Sequence, residues 1–229
     1  MRKEPYTVGS IVHVVKRGVR GLPIVRDEHD KWRFLKLLFY LNDSNHPEHW
    51  ERDIEDIARG LHFSRPESWA ERKPMVNILS YCLMPNHFHL LLEEIRDGGI
   101  SKFMRSLCGS MAMYHNNKYQ EKGTIFQGAF KSKTIGSDYY NDLVYAYINV
   151  KNPFELYKGG LDNAINHFED AYSWSLGYDF SSLPDLVGNR KSPILSKHEL
   201  FDYTPVQFKK FAREYLEDRL EKMSQIEII

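Results

Sequence analysis

The chain has 229 residues with 31 basic and 31 acidic side chains, so its formal net charge is zero. A hydrophobic content of 42% is typical of a globular protein and argues against disorder over most of the chain. No segment approaches the roughly 20 apolar residues of a membrane span, and the polar N-terminus lacks the apolar core of a signal peptide. A cytoplasmic protein is expected, with neither a disulfide framework nor a cysteine metal site at its two cysteines, Cys82 and Cys108.

Charge is distributed unevenly although its total is zero. Residues 1–36 carry nine Lys or Arg against four Asp or Glu, residues 99–135 carry six against one, and residues 161–187 carry none against five. Two basic segments can form a groove for nucleic acid, and local fluctuation on a solvated surface explains the same pattern equally well.

The first half of the chain predicts a strand, a helix and a hairpin in that order. Residues 10–18 are rich in β-branched side chains and predict a strand, and a helical spacing of apolar residues predicts a helix from Asp27 onward. The polar segment 43–74, with three prolines, is interpreted as an insertion. Residues 75–84 and 87–94 flank a Pro-Asn turn and predict the two strands of a hairpin.

The second half predicts a helix over 100–119, an extended segment over 124–135 and a helix from Asp138 that ends at Pro153. A C-terminal helix is predicted over 204–227. The order β-α-β-β-α-β-α is close to the ferredoxin-like or RRM-like pattern. The fold class is therefore predicted to be α+β, with an antiparallel sheet, helices on one of its faces and a C-terminal helical extension.

Two histidines stand at the start of the second hairpin strand, in the stretch NHFHLLL. Because side chains at i and i+2 of a strand share a face, His87 and His89 project together and Phe88 points the other way. Neutral imidazoles on one face form part of a divalent-metal site, and a third ligand must come from elsewhere. Most such pairs are ordinary polar positions on an exposed face, but the leucines at 90–92 predict a central strand beside a cleft.

The helix after the last predicted strand is rich in tyrosine and asparagine: it holds Tyr139, Tyr140, Tyr145 and Tyr147, and Asn141, Asn149 and Asn152. An activated tyrosine oxygen can attack a phosphodiester as a covalent nucleophile. For any one of these tyrosines taken alone, a place in the core or at an interface is the commoner role.

Three segments together resemble the REP-associated tyrosine transposases, relatives of the IS200/IS605 transposases in the HUH single-strand nuclease superfamily. They are LMPNHFHLLL, YHNNKYQEKGTIFQGAFKS and AYINVKNP, and the N-terminal strand and helix are similar too. The resemblance runs from about residue 10 to residue 155. It implies the HUH nuclease fold, with a catalytic domain over 1–155, an insertion at about 43–74 and a C-terminal extension over 156–229.

The resemblance implies metal-assisted transesterification on single-stranded or hairpin DNA by a nucleoid-associated bacterial protein, a monomer or a homodimer. His87 and His89 would bind Mg²⁺ or Mn²⁺, and two imidazoles suit Mn²⁺ better. A tyrosine would attack phosphorus, which forms a 5′-phosphotyrosine and frees a 3′-OH.

Two tyrosines fit the nucleophile position of the family. Counted from Phe130, the family spacing reaches Tyr147, whose context AYIN also matches. The asparagine ligand of the family then corresponds to Asn152, five residues later instead of four, and a π-bulge can absorb the additional residue. Tyr145 with Asn149 at a spacing of four is the alternative. We prefer Tyr147.

The family's arginine in the segment QGRFK is Ala129 here, which removes one phosphate contact. Basic side chains that remain as candidates for DNA contacts are Arg17, Arg20, Lys131 and Lys133. Two other functions compete with the transposase. One is a non-catalytic module that binds single-stranded nucleic acid on the sheet. The other is a metal-dependent hydrolase of small phosphoesters, which leaves the tyrosine helix and the basic segments unused.

Overall fold

The computed structural model describes residues 6–52, 63, 65–136 and 138–222. Residues 53–62 and 64 of the predicted insertion, and residues 223–227 of the predicted C-terminal helix, lie outside the described part of the chain.

Four antiparallel strands form one sheet in the order β2-β3-β1-β4. Their bounds are β1 (Ile11–Arg17), β2 (Val76–Met84), β3 (His87–Glu94) and β4 (Lys131–Ile135). This order, with β1 and β3 at the centre, is the arrangement of a ferredoxin-like fold. The predicted α+β class with an antiparallel sheet is confirmed.

Two long helices lie between strands in the chain, and the remaining helices follow the last strand. Their bounds are α1 (Glu28–Tyr40), α2 (Gly99–Tyr119), α3 (Asp138–Ala146), a π-helical turn (Tyr147–Lys151), α4 (Asn152–Leu156), α5 (Gly160–Asn166), α6 (Phe168–Ser175), α7 (Leu183–Leu186) and α8 (Pro205–Lys222). Short 3₁₀ turns are Val19–Gly21, Trp50–Arg52 and Glu199–Phe201. Helix α1 begins where its sequence predicts, because the side chain of Asp27 accepts a hydrogen bond from Asp30 N at 3.0 Å.

The sheet is covered on both faces. Helices α1 and α2 pack on the first face, as predicted, over the strand residues Val12, Val14, Phe88, Leu90 and Leu92. Helices α3 and α4 and part of the C-terminal region pack on the second face, over Ile11, Leu79, Leu91 and Ile135. The expectation of helices on one face is therefore incomplete. Leu90, Leu91 and Leu92 are consecutive and fully buried, which requires apolar cover on both sides of β3.

Two boundaries differ from those predicted. The extended segment at 124–135 is a strand only from Lys131, because Gly128 has a positive φ of 53° and the residues before it form a loop that touches β1 through the bridge between Gly18 and Phe126. The helix predicted to end at Pro153 continues through it, since Pro153 lies in the first turn of α4, where a missing N–H is tolerated. The domain boundary at residue 155 falls inside α4 and stays a prediction.

Across the described ranges, every helix is too short or too polar to traverse a lipid bilayer.

Candidate active site

Strand β3 places the two predicted histidines at its beginning, in the middle of the sheet. His87 lies opposite Arg17 of β1 and Met84 of β2. His87 and His89 share one face, with ring centroids 4.9 Å apart, and Phe88 is fully buried on the other face. The shared projection predicted from the i, i+2 spacing is therefore present.

The π-helical turn brings Tyr147 to this pair. The centroid of the Tyr147 ring lies 5.3 Å from that of His89, with the rings edge to face at 71°. Tyr147 is 7% exposed, so the phenol sits against the imidazoles and not out in solvent. The preferred tyrosine and the histidine pair therefore meet in one site.

The alternative pair, Tyr145 and Asn149, contacts the C-terminal segments instead of the histidines. The Tyr145 ring stacks on Phe201 at 4.3 Å and packs edge to face on Phe208 at 5.6 Å, and burial raises the pKa of its hydroxyl. The amide of Asn149 donates to Tyr145 O at 2.9 Å and accepts from Ser182 Oγ at 2.5 Å. Tyr145 and Asn149 thus join the tyrosine helix to the C-terminal segments.

The predicted π-bulge is present at the additional residue. Asn152 N donates to Tyr147 O across five residues, so the two residues lie one turn apart in spite of the longer spacing. Asn152 is fully buried, and neither its amide oxygen nor its amide nitrogen has a hydrogen-bond partner in the described part of the chain. Buried polar groups are ordinarily paired, so this carboxamide is available to a ligand.

A third imidazole, which the sequence did not reveal, completes the cluster. His13 on β1 is 1% exposed, and its Nε2 lies 2.9 Å from His89 Nδ1. In sequence it is a lone histidine within a β-branched run, 76 positions from its partner. The only available signal was the shared face: residues 13, 15 and 17 alternate towards the face of the histidine pair once β1 is paired with β3.

All three imidazoles are held in their neutral form. Burial lowers the pKa of His13 to about 4, with a further contribution from the charge of Lys133. Burial likewise lowers the pKa of His87 to about 4, with Arg17 adding to the effect, and lowers that of His89 well below its ordinary value. A neutral imidazole keeps the nitrogen lone pair that a metal ion requires.

An ion pair that the sequence also did not reveal lies beside the tyrosine. Lys151 Nζ bonds the carboxylate of Glu155 and lies 4.7 Å from the centroid of the Tyr147 ring. The Lys151 side chain is 8% exposed, and its charge contributes to the lowered pKa values of His87 and His89. A largely buried lysine, paired with a carboxylate, is therefore part of the site.

The predicted DNA contacts divide into two groups. Lys131 and Lys133 lie opposite Val15 and His13, so they share the histidine face of the sheet, as does Arg17 at the end of β1. All three are exposed at the border of the site. Arg20 is exposed on the Val19–Gly21 turn that follows β1, beyond the paired residues.

The residues present fit a divalent metal ion. His87 Nδ1 bonds Asn86 Oδ1 at 2.6 Å and His89 Nδ1 bonds His13, which leaves the Nε2 atom of each histidine for a ligand. His89 Nε2 is buried without a hydrogen-bond partner in the described ranges. Among all the residues that the structure describes, no group of three or more His, Cys, Asp or Glu side chains could hold a metal. A complete set therefore needs an amide oxygen, and Asn152 offers one.

The chain is similar to a known protein family and to a solved structure. Residues 67–151 match the family model described as "Transposase IS200 like". A solved structure described as a REP-associated tyrosine transposase bound to a REP hairpin is similar, with 15% sequence identity over 90% of this chain and 94% of that chain and a TM-score of 0.44. No curated protein matches the chain. The predicted resemblance to the IS200-like transposases is thereby confirmed for residues 67–151, which carry the histidine pair and Tyr147 and match that family model.

Proposed function

We propose that this protein is a transposase that cleaves and rejoins single-stranded or hairpin DNA through Tyr147. The observation that carries the proposal is the contact of the Tyr147 ring with His89, on a helical turn that also presents the unpaired amide of Asn152. The match of residues 67–151 to the IS200-like transposase family model supports it.

The chemistry is a transesterification. The hydroxyl oxygen of Tyr147 gives up its proton and attacks phosphorus, the bond from phosphorus to the 3′ oxygen breaks, and that oxygen leaves as a 3′-OH after taking a proton. The DNA strand is then held as a 5′-phosphotyrosine. Attack of a 3′-OH on the same phosphorus reverses the step and rejoins DNA. The Lys151–Glu155 ion pair lies beside this nucleophile, with Lys151 Nζ 4.7 Å from the centroid of the Tyr147 ring.

A divalent ion, Mg²⁺ or Mn²⁺, would be held by Nε2 of His87, Nε2 of His89 and the amide oxygen of Asn152. When bound, the ion polarises the scissile phosphate and stabilises the negative charge that develops there. Two imidazole ligands favour Mn²⁺ over Mg²⁺.

The DNA backbone would lie across the border of the site. Arg17, Lys131 and Lys133 are exposed on the histidine face, and Arg20 lies on the adjoining turn. These cations would neutralise phosphates on both sides of the scissile bond, so binding should weaken as salt concentration rises.

The test is a covalent one. Incubation with Mn²⁺ and a labelled single-stranded hairpin oligonucleotide should give a protein–DNA adduct that survives denaturing electrophoresis. Tyr147→Phe removes the hydroxyl alone, so it should abolish the adduct and leave hairpin binding intact. Tyr145→Phe is the matched control, the same change two residues away, and should form the adduct fully. An adduct that persists in Tyr147→Phe and disappears in Tyr145→Phe would reassign the nucleophile.

The metal ligands are tested in the same assay. His87→Ala and His89→Ala should lose the adduct, and a chelator should abolish it in the unaltered protein. Cleavage by either variant at the rate of the unaltered protein would contradict the metal assignment. Tight hairpin binding with no adduct under any divalent ion would identify the protein as a non-catalytic single-strand-binding module.

A further inference from the structure

We propose that His13 is a positioning residue: it accepts a hydrogen bond from His89 Nδ1 and so holds His89 in the tautomer whose Nε2 can bind a metal ion. The inference rests on the proposed function, because it concerns the same ion. His13 lies outside the segment 67–151 that matches the transposase family, so the match assigns it nothing.

The geometry of the pair is well defined. His13 Nε2 and His89 Nδ1 are 2.9 Å apart, and the rings lie edge to edge and nearly coplanar, with centroids at 5.2 Å and planes 16° apart. The two residues are 1% and 2% exposed, so water cannot replace either partner. His13 lies directly opposite Leu91, one diagonal step from His89 on the same face of β1 and β3. The sheet itself therefore fixes the distance.

The direction of this hydrogen bond determines which nitrogen of His89 carries the proton. Each neutral imidazole carries one N–H, so the bond has two possible arrangements. If His89 Nδ1 donates, His89 Nε2 keeps its lone pair and faces the site. If His13 Nε2 donates, the proton of His89 sits on Nε2 and blocks metal binding.

Each arrangement leaves one buried N–H without a partner in the described part of the chain, at His13 Nδ1 or at His89 Nε2. Only the first arrangement, in which His13 accepts the hydrogen bond, leaves the lone pair of His89 Nε2 free for a cation. Such outer hydrogen bonds orient metal-binding histidines and raise their affinity.

The first experiment measures the affinity of the full chain for Mn²⁺ by isothermal titration calorimetry. His13→Leu removes the acceptor and should weaken binding by about 10-fold to 100-fold. His13→Gln can place an amide oxygen near the position of the lost Nε2, and it should restore affinity to within about threefold, as expected of an acceptor role. His115→Leu is the matched control, since it removes another buried imidazole, from α2, and should leave affinity unchanged.

The second experiment reads the tautomer directly by ¹⁵N imidazole NMR of the unaltered protein. In the metal-free protein, the proton of His89 should be on Nδ1. A proton on Nε2 would overturn the inference, as would Mn²⁺ binding by His13→Leu at unaltered affinity. Circular dichroism of His13→Leu separates a folding defect from a metal defect.

The two proposals fail separately. If the unaltered protein binds neither ion, the metal site of the proposed function is wrong, and the tautomer of His89 in the metal-free protein still decides the role of His13: a proton on Nε2 refutes it and one on Nδ1 supports it. If the ion binds and His13→Leu binds it equally well, only the inference about His13 falls.

Discussion

Histidines in this chain are often buried. Among the described residues, four are less than 10% exposed: His13, His87, His89 and His115. The first three form the site, but His115 lies on α2, on the other face of the sheet, where neither ring nitrogen has a hydrogen-bond partner in the described ranges. Burial lowers its pKa, Arg26 adds to the effect, and Glu121 opposes it. His115 is therefore a buried neutral imidazole with no assigned function.

His115 should make the protein sensitive to acid. Its pKa in the folded state lies below the unfolded value of about 6.5, so the unfolded state binds more protons and the free energy of unfolding falls as pH drops below about 6.5. In His115→Phe, urea unfolding at pH 7 and pH 5 should show a smaller loss of stability between the two than in the unaltered protein. Equal losses in both proteins would contradict the assignment.

At this scale the sequence predicted what local spacing encodes. The HxH pattern placed His87 and His89 on one face, and the resemblance to the transposase family selected Tyr147 over Tyr145. His13 could not be found, because its meaning depends on the pairing of β1 with a strand more than 70 residues away. The position of Lys151 against the Tyr147 ring could not be found either, because it depends on how the π-helical turn directs side chains.

The π-helical turn is the element that decides the site. A regular α-helix would carry residues five apart about 140° away from each other around the axis. The wider turn returns Asn152 to the neighbourhood of Tyr147, because its N–H bonds the Tyr147 carbonyl. The additional residue is thereby absorbed without loss of the shared face.

Changing the length of this turn should separate spacing from composition. Deletion of Lys151 should convert the turn to α-helix and keep Tyr147 and Asn152 at a four-residue spacing on one face. We expect Mn²⁺ affinity close to that of Lys151→Ala, which removes the charge alone. Insertion of one alanine after Lys151 should rotate Asn152 away and weaken binding about 10-fold or more. An insertion variant with the affinity of the unaltered protein would show that Asn152 is not a ligand.

The bounds of a strand were predicted well where a clear turn signal in the sequence adjoins it. The hairpin strands, expected at 75–84 and 87–94, are found at Val76–Met84 and His87–Glu94. The strand before the tyrosine helix was predicted seven residues too early, because a loop held by backbone contacts to β1 looks extended in sequence. Pro153 misled the prediction of the helix end, since proline is tolerated in the first turn of the helix that follows.

The C-terminal region closes one edge of the sheet. Leu83 N donates to Phe180 O, Ser182 N donates to Tyr81 O, and Ser196 N donates to Ile78 O, each at 2.9 Å. These bonds satisfy backbone groups of β2 that would otherwise face water. No local pattern in residues 180–196 predicted them, because the partners lie about 100 positions away. The region is thus an integral part of the sheet architecture.

Arg190 holds this closure in place. Its side chain is 8% exposed and bonds Asp185 Oδ2 at 2.7 Å, Tyr81 Oη at 2.8 Å and Asp179 O at 2.6 Å. Arg190→Met leaves the buried Asp185 carboxylate without its cationic partner, with hydrogen bonds from Ser192 alone, and should lower the free energy of unfolding by about 3–5 kcal/mol. Urea unfolding, followed by tryptophan fluorescence, measures this loss in the free energy of unfolding.

A matched double variant isolates the charge. Arg190→Met combined with Asp185→Asn removes both charges, and it should recover part of the stability lost in Arg190→Met alone. A loss below about 1 kcal/mol in the single variant would show that the closure does not depend on Arg190.

The opposite edge of the sheet is left open. In the described part of the chain β4 pairs with β1 alone, and it carries exposed Lys131 and Lys133. Unpaired strand edges invite pairing with a second chain, and lysines there discourage it through mutual repulsion. The two lysines proposed to hold DNA therefore also oppose edge-to-edge pairing of β4 with a second copy of the chain. A substitution that made β4 more apolar would both weaken the proposed DNA binding and favour association between copies of the chain. The composition of this short strand is therefore constrained by solubility as well as by substrate.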